Sequence, residues 1–355
     1  MVYVGLDLHK RYITACAVSA EGTVVAAVRQ LSPDWAVLAR WLAGLQAPVT
    51  VVLEATLYCW WLERQLTGAG YTVIVVNAYQ VKLIWQTRTK TDPIDAQKLA
   101  ELARVGMLPA LWVPDPRTRA RRQALRGRVF LVRQRTVIKN RVHAYLTAEN
   151  LRCPQVDLYS KAGRAWLASV DLPPVVRRYV DLLLATLDHL SAQILSVDRA
   201  LQRECRHDAV NQRLQTIPGV GPFGALLLQA EIGPVSRFRN AQELAAYAGL
   251  TPSTRSSGGK TAHGGVGRAG SPWLKWILIE TVQALKLAPG PIGAHYQHLL
   301  HAKGRPKATV AAARKLCCYL YWMLTEHWTY EEWLQQHHHH DELGVRPTQR
   351  MGSAA

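Results

Sequence analysis

Through the first hundred residues, apolar positions gather in short runs, and each run closes on a turn signal. Val2–Leu8 is such a run with a single acid, Asp7, inside it. Tyr12–Val18 and Val24–Arg29 follow, parted by the turn Ala20-Glu21-Gly22. Runs of this length between turn residues predict three consecutive antiparallel strands. A helical pattern covers Asp34–Leu45, a strand pattern Val49–Glu54, a second helix Leu57–Ala69 and a fifth strand Thr72–Val76. A further helix opens at Lys90-Thr91-Asp92-Pro93. Asp92 is placed to cap it, Pro93 suits its first position, and Leu99, Leu102 and Ala103 continue its apolar stripe. The order βββαβαβα predicts an α/β domain with a mixed sheet over residues 1–108.

Beyond this unit the spacing becomes helical. Pro109, Pro114 and Pro116 mark a boundary. The basic stretch after them carries Leu125, Val129, Val132, Leu131, Ile138 and Tyr145 on one side of a helix. After Pro173-Pro174 come Val176, Val180, Leu183, Leu187, Leu190, Ile194, Val197 and Leu201. Steps of four and three alternate throughout, the seam of a coiled coil that a helix pair within the chain or a second protomer could fill. Residues 109–205 are therefore expected as a basic, coiled-coil helical region.

The stretch Leu214–Ala225, with Pro218-Gly219-Val220-Gly221 at its centre, reads as a helix-hairpin-helix, and Gly219 and Gly221 would let main-chain N–H groups reach a phosphate. A helix over Ala241–Tyr247 leads into a Gly- and Ser-rich segment from Ser256 to Gly270. Helices flank that segment too closely for a free linker. Leu316–Leu324, with Tyr319, Tyr321 and Trp322, reads as core. Residues 206–335 are expected as a mainly α domain, and 336–355, which include His337–His340, as a disordered tail.

Composition sharpens the picture. The 355 residues are 49% hydrophobic and 19% charged, enough apolar material for real cores. Lys and Arg total 43 against 25 Asp and Glu, a net charge of +18 and a pI near 9.9, which calls for a polyanionic partner. No uninterrupted apolar run approaches the ~18 residues of a membrane span, and the opening strand pattern leaves no signal peptide to expect. Cys16, Cys59, Cys153, Cys205, Cys317 and Cys318 are scattered without metal-ligand spacing and read as reduced thiols.

The basic excess is concentrated in Arg117, Arg119, Arg121, Arg122, Arg126, Arg128, Arg133, Arg135, Lys139 and Arg141, with no acid among them. Such a density repels itself without a polyanion, and arginine suits phosphate. Lys260, Arg268 and Lys275 extend the basic character through the glycine-rich segment.

The candidate chemistry lies in four carboxylates. Asp7 sits mid-strand, Glu54 ends a strand, and Asp92 and Asp95 share one face of a helix mouth. A carboxylate in an apolar strand is costly unless paired, bonded or metal-bound. Four of them together would hold a pair of Mg²⁺ ions, which take hard oxygen ligands and clamp a phosphodiester.

The element order and the acids resemble the RNase H-like fold in its RuvC-type, Holliday-junction-nuclease branch. The set Asp7, Glu54, Asp92, Asp95 resembles the DEDD quartet of the bridge-RNA-guided insertion-sequence transposases. The sugar-kinase and actin superfamily shares the strand order but needs a glycine-bearing phosphate loop where this chain has Leu8-His9-Lys10-Arg11. Gly249-Leu250-Thr251-Pro252 and the following Ser-Gly and glycine-basic-glycine pattern are similar to the same family's C-terminal domain, with Ala269 and Lys275 as departures.

The resemblance implies a nucleophilic serine at Ser257, with Ser256 beside it as the alternative, and a 5′-phosphoserine link to DNA assisted by the metal-bearing acids. It further implies donor and target DNA as substrates, a structured guide RNA encoded by the element, dimer or tetramer assembly, and a bacterial cytoplasmic, nucleoid-associated setting with no membrane partner. A hydrolytic, metal-dependent junction endonuclease and a non-catalytic nucleic-acid scaffold are the alternatives.

Overall fold

The computed structural model describes residues 1–84, 91–257, 260–266 and 270–342, with backbone alone at 254–257, 260–263 and 337–342. The chain divides into two compact units, Met1–Pro114 and Asp115–Ala355.

The first unit runs β1 (Val2–Leu8), β2 (Ile13–Ser19), β3 (Val24–Leu31), α1 (Trp35–Ala43), β4 (Val49–Glu54), α2 (Cys59–Gly68), β5 (Thr72–Val76), α3 (Ala78–Ile84) and α4 (Asp92–Arg104). The strands form one mixed sheet in the order β3-β2-β1-β4-β5. β1 pairs antiparallel with β2, and β2 with β3; β1 pairs parallel with β4, and β4 with β5. This α/β architecture is compatible with the expected RNase H-like arrangement. α3 was not foreseen from the sequence, although Asn77 carries a start signal: its side chain accepts from the Tyr79 N–H at 2.8 Å.

Helices cover both faces of the sheet, which is why β1 and β4 read as nearly unbroken apolar runs. Strand parity then assigns each residue a side. Val4, Leu6, Leu8, Val51 and Leu53 pack with Leu38, Leu42, Leu62 and Leu66 of α1 and α2. On the other face, Val52, Cys16 and Val18 meet Ala96, Leu99, Ala100 and Leu102 of α4. Gly5 lies directly under that helix, where an added Cβ would stand 2.0 Å from the Ala96 carbonyl oxygen. The absence of a side chain at Gly5 lets α4 rest on β1.

The second unit begins with α5 (Pro116–Ala148), capped by Asp115, whose carboxylate accepts from the Thr118 N–H at 3.0 Å. α6 (Lys161–Ser169), α7 (Pro174–Cys205), α8 (Ala209–Leu214), α9 (Pro222–Ile232) and α10 (Ala241–Tyr247) follow. A two-stranded antiparallel ribbon, β6 (Pro252–Ser257) and β7 (Lys260–Val266), comes next. α11 (Pro272–Leu285), α12 (Pro291–Lys303), α13 (Arg305–Thr325) and α14 (Tyr330–Glu342) complete it. The unit is thus mostly helical, with a ribbon in the glycine-rich segment that periodicity did not reveal. The expected tail from 336 overlaps the end of α14; residues 343–355 lie outside the described residues.

α9 and α13 form the centre of this core. Leu226, Leu227, Leu228, Leu316, Leu320 and Met323 are all buried, as the reading of Leu316–Leu324 as core expects, while Trp322 is exposed. α7 lies antiparallel on α5: Leu125 shares a core with Leu201 and Cys205, and Val142 and Leu146 share one with Val180. Every second seam position of the heptad (Val180, Leu187, Ile194, Leu201) is buried within the chain. By length and composition alone α7 is apolar enough to cross a membrane. Part of that apolar content packs within the chain, through Val180, Leu187, Ile194 and Leu201, while Val175, Leu182 and Leu195 stay exposed.

Candidate active site

The acids converge on the α4 face of the first unit's sheet. Asp7 shares the parity of Gly5, beneath α4. In the β1–β4 register Leu6 stands opposite Leu53, so Glu54 is level with Asp7 on the neighbouring strand. Asp92 and Asp95 occupy the first turn of α4. The N-cap is Thr91 rather than the expected Asp92. Asp92 is the first helical residue, and its carboxylate is engaged across the sheet instead of turning back on its own helix.

Three side chains that carry no signal of their own in the sequence hold this arrangement. The Tyr12 hydroxyl donates to Asp92 Oδ2 at 3.0 Å. His9 Nε2 lies 3.0 Å from Asp7 Oδ2 and 3.3 Å from Asp92 Oδ2. The His9 and Tyr12 rings stack with centroids 4.5 Å apart. The Tyr58 hydroxyl donates to the His9 carbonyl at 3.0 Å, fixing the connection between β1 and β2. The signal available in the sequence was proximity: His9 follows Asp7 by two residues, and Tyr58 follows Glu54 by four.

Burial pushes the Asp7 carboxyl above the usual carboxylate range. The bond and charge of His9 pull it back, and the charges of Asp92 and Asp95 push it up again. The Tyr12 phenol is raised chiefly by its bond to Asp92. Half-buried carboxylates that repel one another at short range are a donor set a divalent cation would stabilise. One donor atom each from Asp7, His9 and Asp92 lies within 4.8 Å of the others. The residues present therefore fit a hard divalent ion.

In the second unit, Ser257 ends β6 opposite Lys260, with Ser256 opposite Thr261. Residues 258, 259 and 267–269, Arg268 included, lie outside the described residues. The ribbon leads to Ser271, which caps α11 by accepting from the Leu274 N–H at 3.2 Å. Lys275 lies in the first turn of α11. Gly219 adopts φ +87° in the turn between α8 and α9, and a Cβ there would meet Ala284 Cβ at 2.6 Å. Gly221 is the N-cap of α9. Gly219 is thus required by its backbone conformation and the approach of α11, whereas a Cβ at Gly221 would meet nothing within 4 Å.

The arginine run divides in two. Arg121 Nε donates to Glu204 at 2.8 Å, and Arg122 Nε to the Ala230 carbonyl at 2.8 Å. Arg126 reaches Glu231 at 2.8 Å and Arg128 reaches Asp198 at 3.1 Å. Acids from α7 and α9 answer these four charges, which the absence of acids within the run itself had concealed. Arg117, Arg133 and Arg141 are exposed on α5, and Arg119, Arg135 and Lys139 half-buried. Lys139 lies over the Tyr159 ring at 4.4 Å.

The two groups should respond differently to mutation. Arg133→Ala with Arg141→Ala is expected to leave the melt unchanged and to flatten the salt dependence of duplex binding, by up to about 0.9 in log–log slope for each phosphate no longer neutralised. Arg128→Ala should instead lower the melting temperature. Titrations at several salt concentrations, alongside thermal melts, separate these outcomes.

A carboxylate cluster on a mixed sheet, in a strongly basic chain, points to an enzyme acting on nucleic-acid phosphodiesters. Comparison with known proteins makes this specific. A transposase model, the DEDD domain of IS110 elements, matches residues 4–150. The model described as "Transposase IS116/IS110/IS902 family" matches residues 211–297.

The chain is 28% identical over 237 residues to the transposase for insertion sequence element IS1328 of Yersinia enterocolitica, covering 66% of this chain and 70% of that one. It is 28% identical over 248 residues to a probable family 20 transposase of Pseudomonas aeruginosa, covering 67% and 71%. It is 26% identical over 334 residues to the transposase for insertion sequence element IS1111A of Coxiella burnetii, covering 92% and 90%. The chain belongs to the IS116/IS110/IS902 family of insertion-sequence transposases, enzymes that cleave and rejoin DNA.

Proposed function

We propose that this transposase breaks and rejoins DNA through a covalent link to Ser257, with the acids of the first unit assisting phosphoryl transfer. The observation that carries the reading is the gathering of Asp7, Asp92 and Asp95 on one face of the sheet, with Glu54 level with Asp7 on the next strand. That placement is what an RNase H-like, RuvC-type DEDD site requires. Mg²⁺ held by Asp7, Glu54, Asp92 and Asp95, as two ions, supplies charge stabilisation to the transferring phosphate. Tyr12 orients Asp92 for that role through its hydroxyl.

A serine hydroxyl is a weak nucleophile until a base, a metal or a local field activates it. Ser257 Oγ attacks the phosphorus, the bond to the 3′ oxygen breaks, and the serine proton ends on the departing 3′-hydroxyl. The product is a 5′-phosphoserine and a free 3′ end. Attack of a 3′-hydroxyl on that link rejoins DNA and releases the serine, so the energy of the broken bond is conserved. Ser256 is the neighbouring candidate for the same step.

A structured RNA encoded by the element selects donor and target DNA in this reading, as the family resemblance implies. Arg117, Arg119, Arg133, Arg135, Lys139 and Arg141, the Gly219–Gly221 hairpin, Lys260, Arg268 and Lys275 contact nucleic-acid phosphates. The protein works as a dimer or tetramer, with α7 contributing a coiled-coil surface, on nucleoid DNA in a bacterial cytoplasm.

The test is a denaturing gel for protein covalently bound to DNA, in cells carrying the gene with its flanking DNA. An adduct formed by wild type and missing from Ser257→Ala and Asp7→Asn is the expected result. An adduct missing from Ser256→Ala and kept in Ser257→Ala moves the nucleophile by one residue. Cleaved DNA without an adduct, lost in Asp7→Asn but kept in Ser257→Ala, would establish a hydrolytic junction endonuclease in place of the recombinase.

A further inference from the structure

His9 stands among the acids without being one of them. Its Nε2 lies 3.0 Å from Asp7 Oδ2 and 3.3 Å from Asp92 Oδ2. Ligands at adjacent corners around a first-row divalent ion bound at about 2.1 Å stand about 3 Å apart, which both His9 separations match, and the two carboxylate donors lie within 4.8 Å of each other. The imidazole is also held in place from several directions. Its ring stacks on Tyr12 at 4.5 Å and an interplanar angle of 29°, and its main-chain carbonyl takes the Tyr58 hydroxyl. Tyr12 meanwhile fixes the same Asp92 oxygen that His9 approaches. Two carboxylate oxygens and one nitrogen are thus preset at the end of β1, on the connection that follows it and at the mouth of α4.

Resting on the reading of the acids as a divalent-metal site, we propose that His9 is a nitrogen ligand of that site and shifts its preference from Mg²⁺ toward Mn²⁺. Mg²⁺ takes oxygen ligands and keeps much of its water, whereas imidazole nitrogen favours first-row transition ions. To bind, neutral His9 presents the Nε2 lone pair and carries its proton on Nδ1. The ion then replaces the hydrogen bonding between His9 and the two acids. Selection by His9 is distinct from the chemistry of the acids, because a purely oxygen-lined site would still bind Mg²⁺.

The experiment uses the full chain with Mn²⁺ alone, without DNA. Pulsed electron paramagnetic resonance reads ¹⁴N coupled to the bound Mn²⁺, and calorimetry gives Kd for Mn²⁺ and for Mg²⁺. Wild type is expected to show a directly coordinated nitrogen that His9→Ala and His9→Gln both lose. His9→Ala should raise the Mn²⁺ Kd by about 10-fold or more, the scale on which even outer partners of a metal act, and change the Mg²⁺ Kd little. Circular dichroism confirms that the variants fold.

Mn²⁺ that binds wild type, weakens on Asp7→Asn, and shows no nitrogen coupling overturns the proposal and leaves the carboxylate site standing. Mn²⁺ that fails to bind, or binds Asp7→Asn as well as wild type, overturns the metal reading beneath it.

Discussion

Gly5→Ala is expected to lower DNA cleavage by about 100-fold or more, the cost of a roughly 1 Å misplacement in an active site. Gly5 touches no reacting atom. Its new Cβ would stand 2.0 Å from the Ala96 carbonyl oxygen, 2.9 Å from the Ala100 nitrogen and 2.9 Å from Leu99 Cβ. Two of these are main-chain atoms that cannot swing aside, so α4 must lift from β1. α4 carries Asp92 and Asp95, whereas Asp7 stays on the strand, so the lift opens the acid cluster itself. Overpacking of this kind costs about 1–3 kcal/mol of stability, too little by itself to unfold most domains.

The protein should therefore remain folded and lose activity, which cleavage assays run beside thermal melts can distinguish. Gly68→Ala is the control: a Cβ there meets nothing within 4 Å. Alanine is the better helix former, so stability should hold or rise slightly. Wild-type cleavage by Gly5→Ala would mean that α4 does not set the separation of the acids.

Glu231→Ala should destabilise the second unit by about 3–5 kcal/mol, the cost of stripping one partner from a buried ion pair. Glu231 is 1% exposed. One carboxylate oxygen accepts from Arg126 at 2.8 Å, and the other from the Ser271 hydroxyl at 2.9 Å. Arg122 Nε stands 3.9 Å away, and Arg122 and Arg237 both donate to the Glu231 main-chain carbonyl. A single acid thus ties together α5, α9 and the start of α11.

Without it, Arg122 is left largely buried with that counter-charge gone, and Arg126, which is partly exposed, loses its partner. For a unit of this size the melt should fall by roughly 10 °C. Glu231→Gln keeps an acceptor for Ser271 and loses only the charge, so its melt should fall between the two. If Glu231→Ala melts with wild type, the guanidinium groups find water or other partners, and the hub is dispensable. Because Ser271 follows the ribbon that bears Ser257, adduct formation by Glu231→Gln also reports whether this anchor reaches the proposed chemistry.

Much of the first unit could be read from the sequence, because its signals are local. β1, β4 and β5 are short apolar runs, and a carboxylate inside or at the end of such a run is conspicuous. Asp7 and Glu54 were singled out that way, and Asp92 and Asp95 by their spacing at a proline-marked helix mouth. His9, Tyr12 and Tyr58 were not, because each is ordinary on its own strand or turn and gains its role only when the sheet closes. The same cause misled in the arginine run. The stretch contains no acid, yet Glu204, Asp198 and Glu231 arrive from helices 70 to 109 residues further along the chain. Charge density in one segment says nothing of what another segment will place against it. The ribbon β6–β7 escaped for a different reason: glycine and serine carry too little apolar contrast to show a period of two.

The seat of α4 on Gly5 has one more consequence. The distance from helix to strand is set where main chain meets main chain, and side-chain shape has little say in it. Leucine, isoleucine and methionine can exchange at Leu99 or Leu102 while the helix keeps its height, since the stop is a carbonyl over a bare Cα. A catalytic spacing anchored in this way is insulated from drift in the surrounding core. Substitutions can rewrite the packing around such a site and still leave its geometry in place.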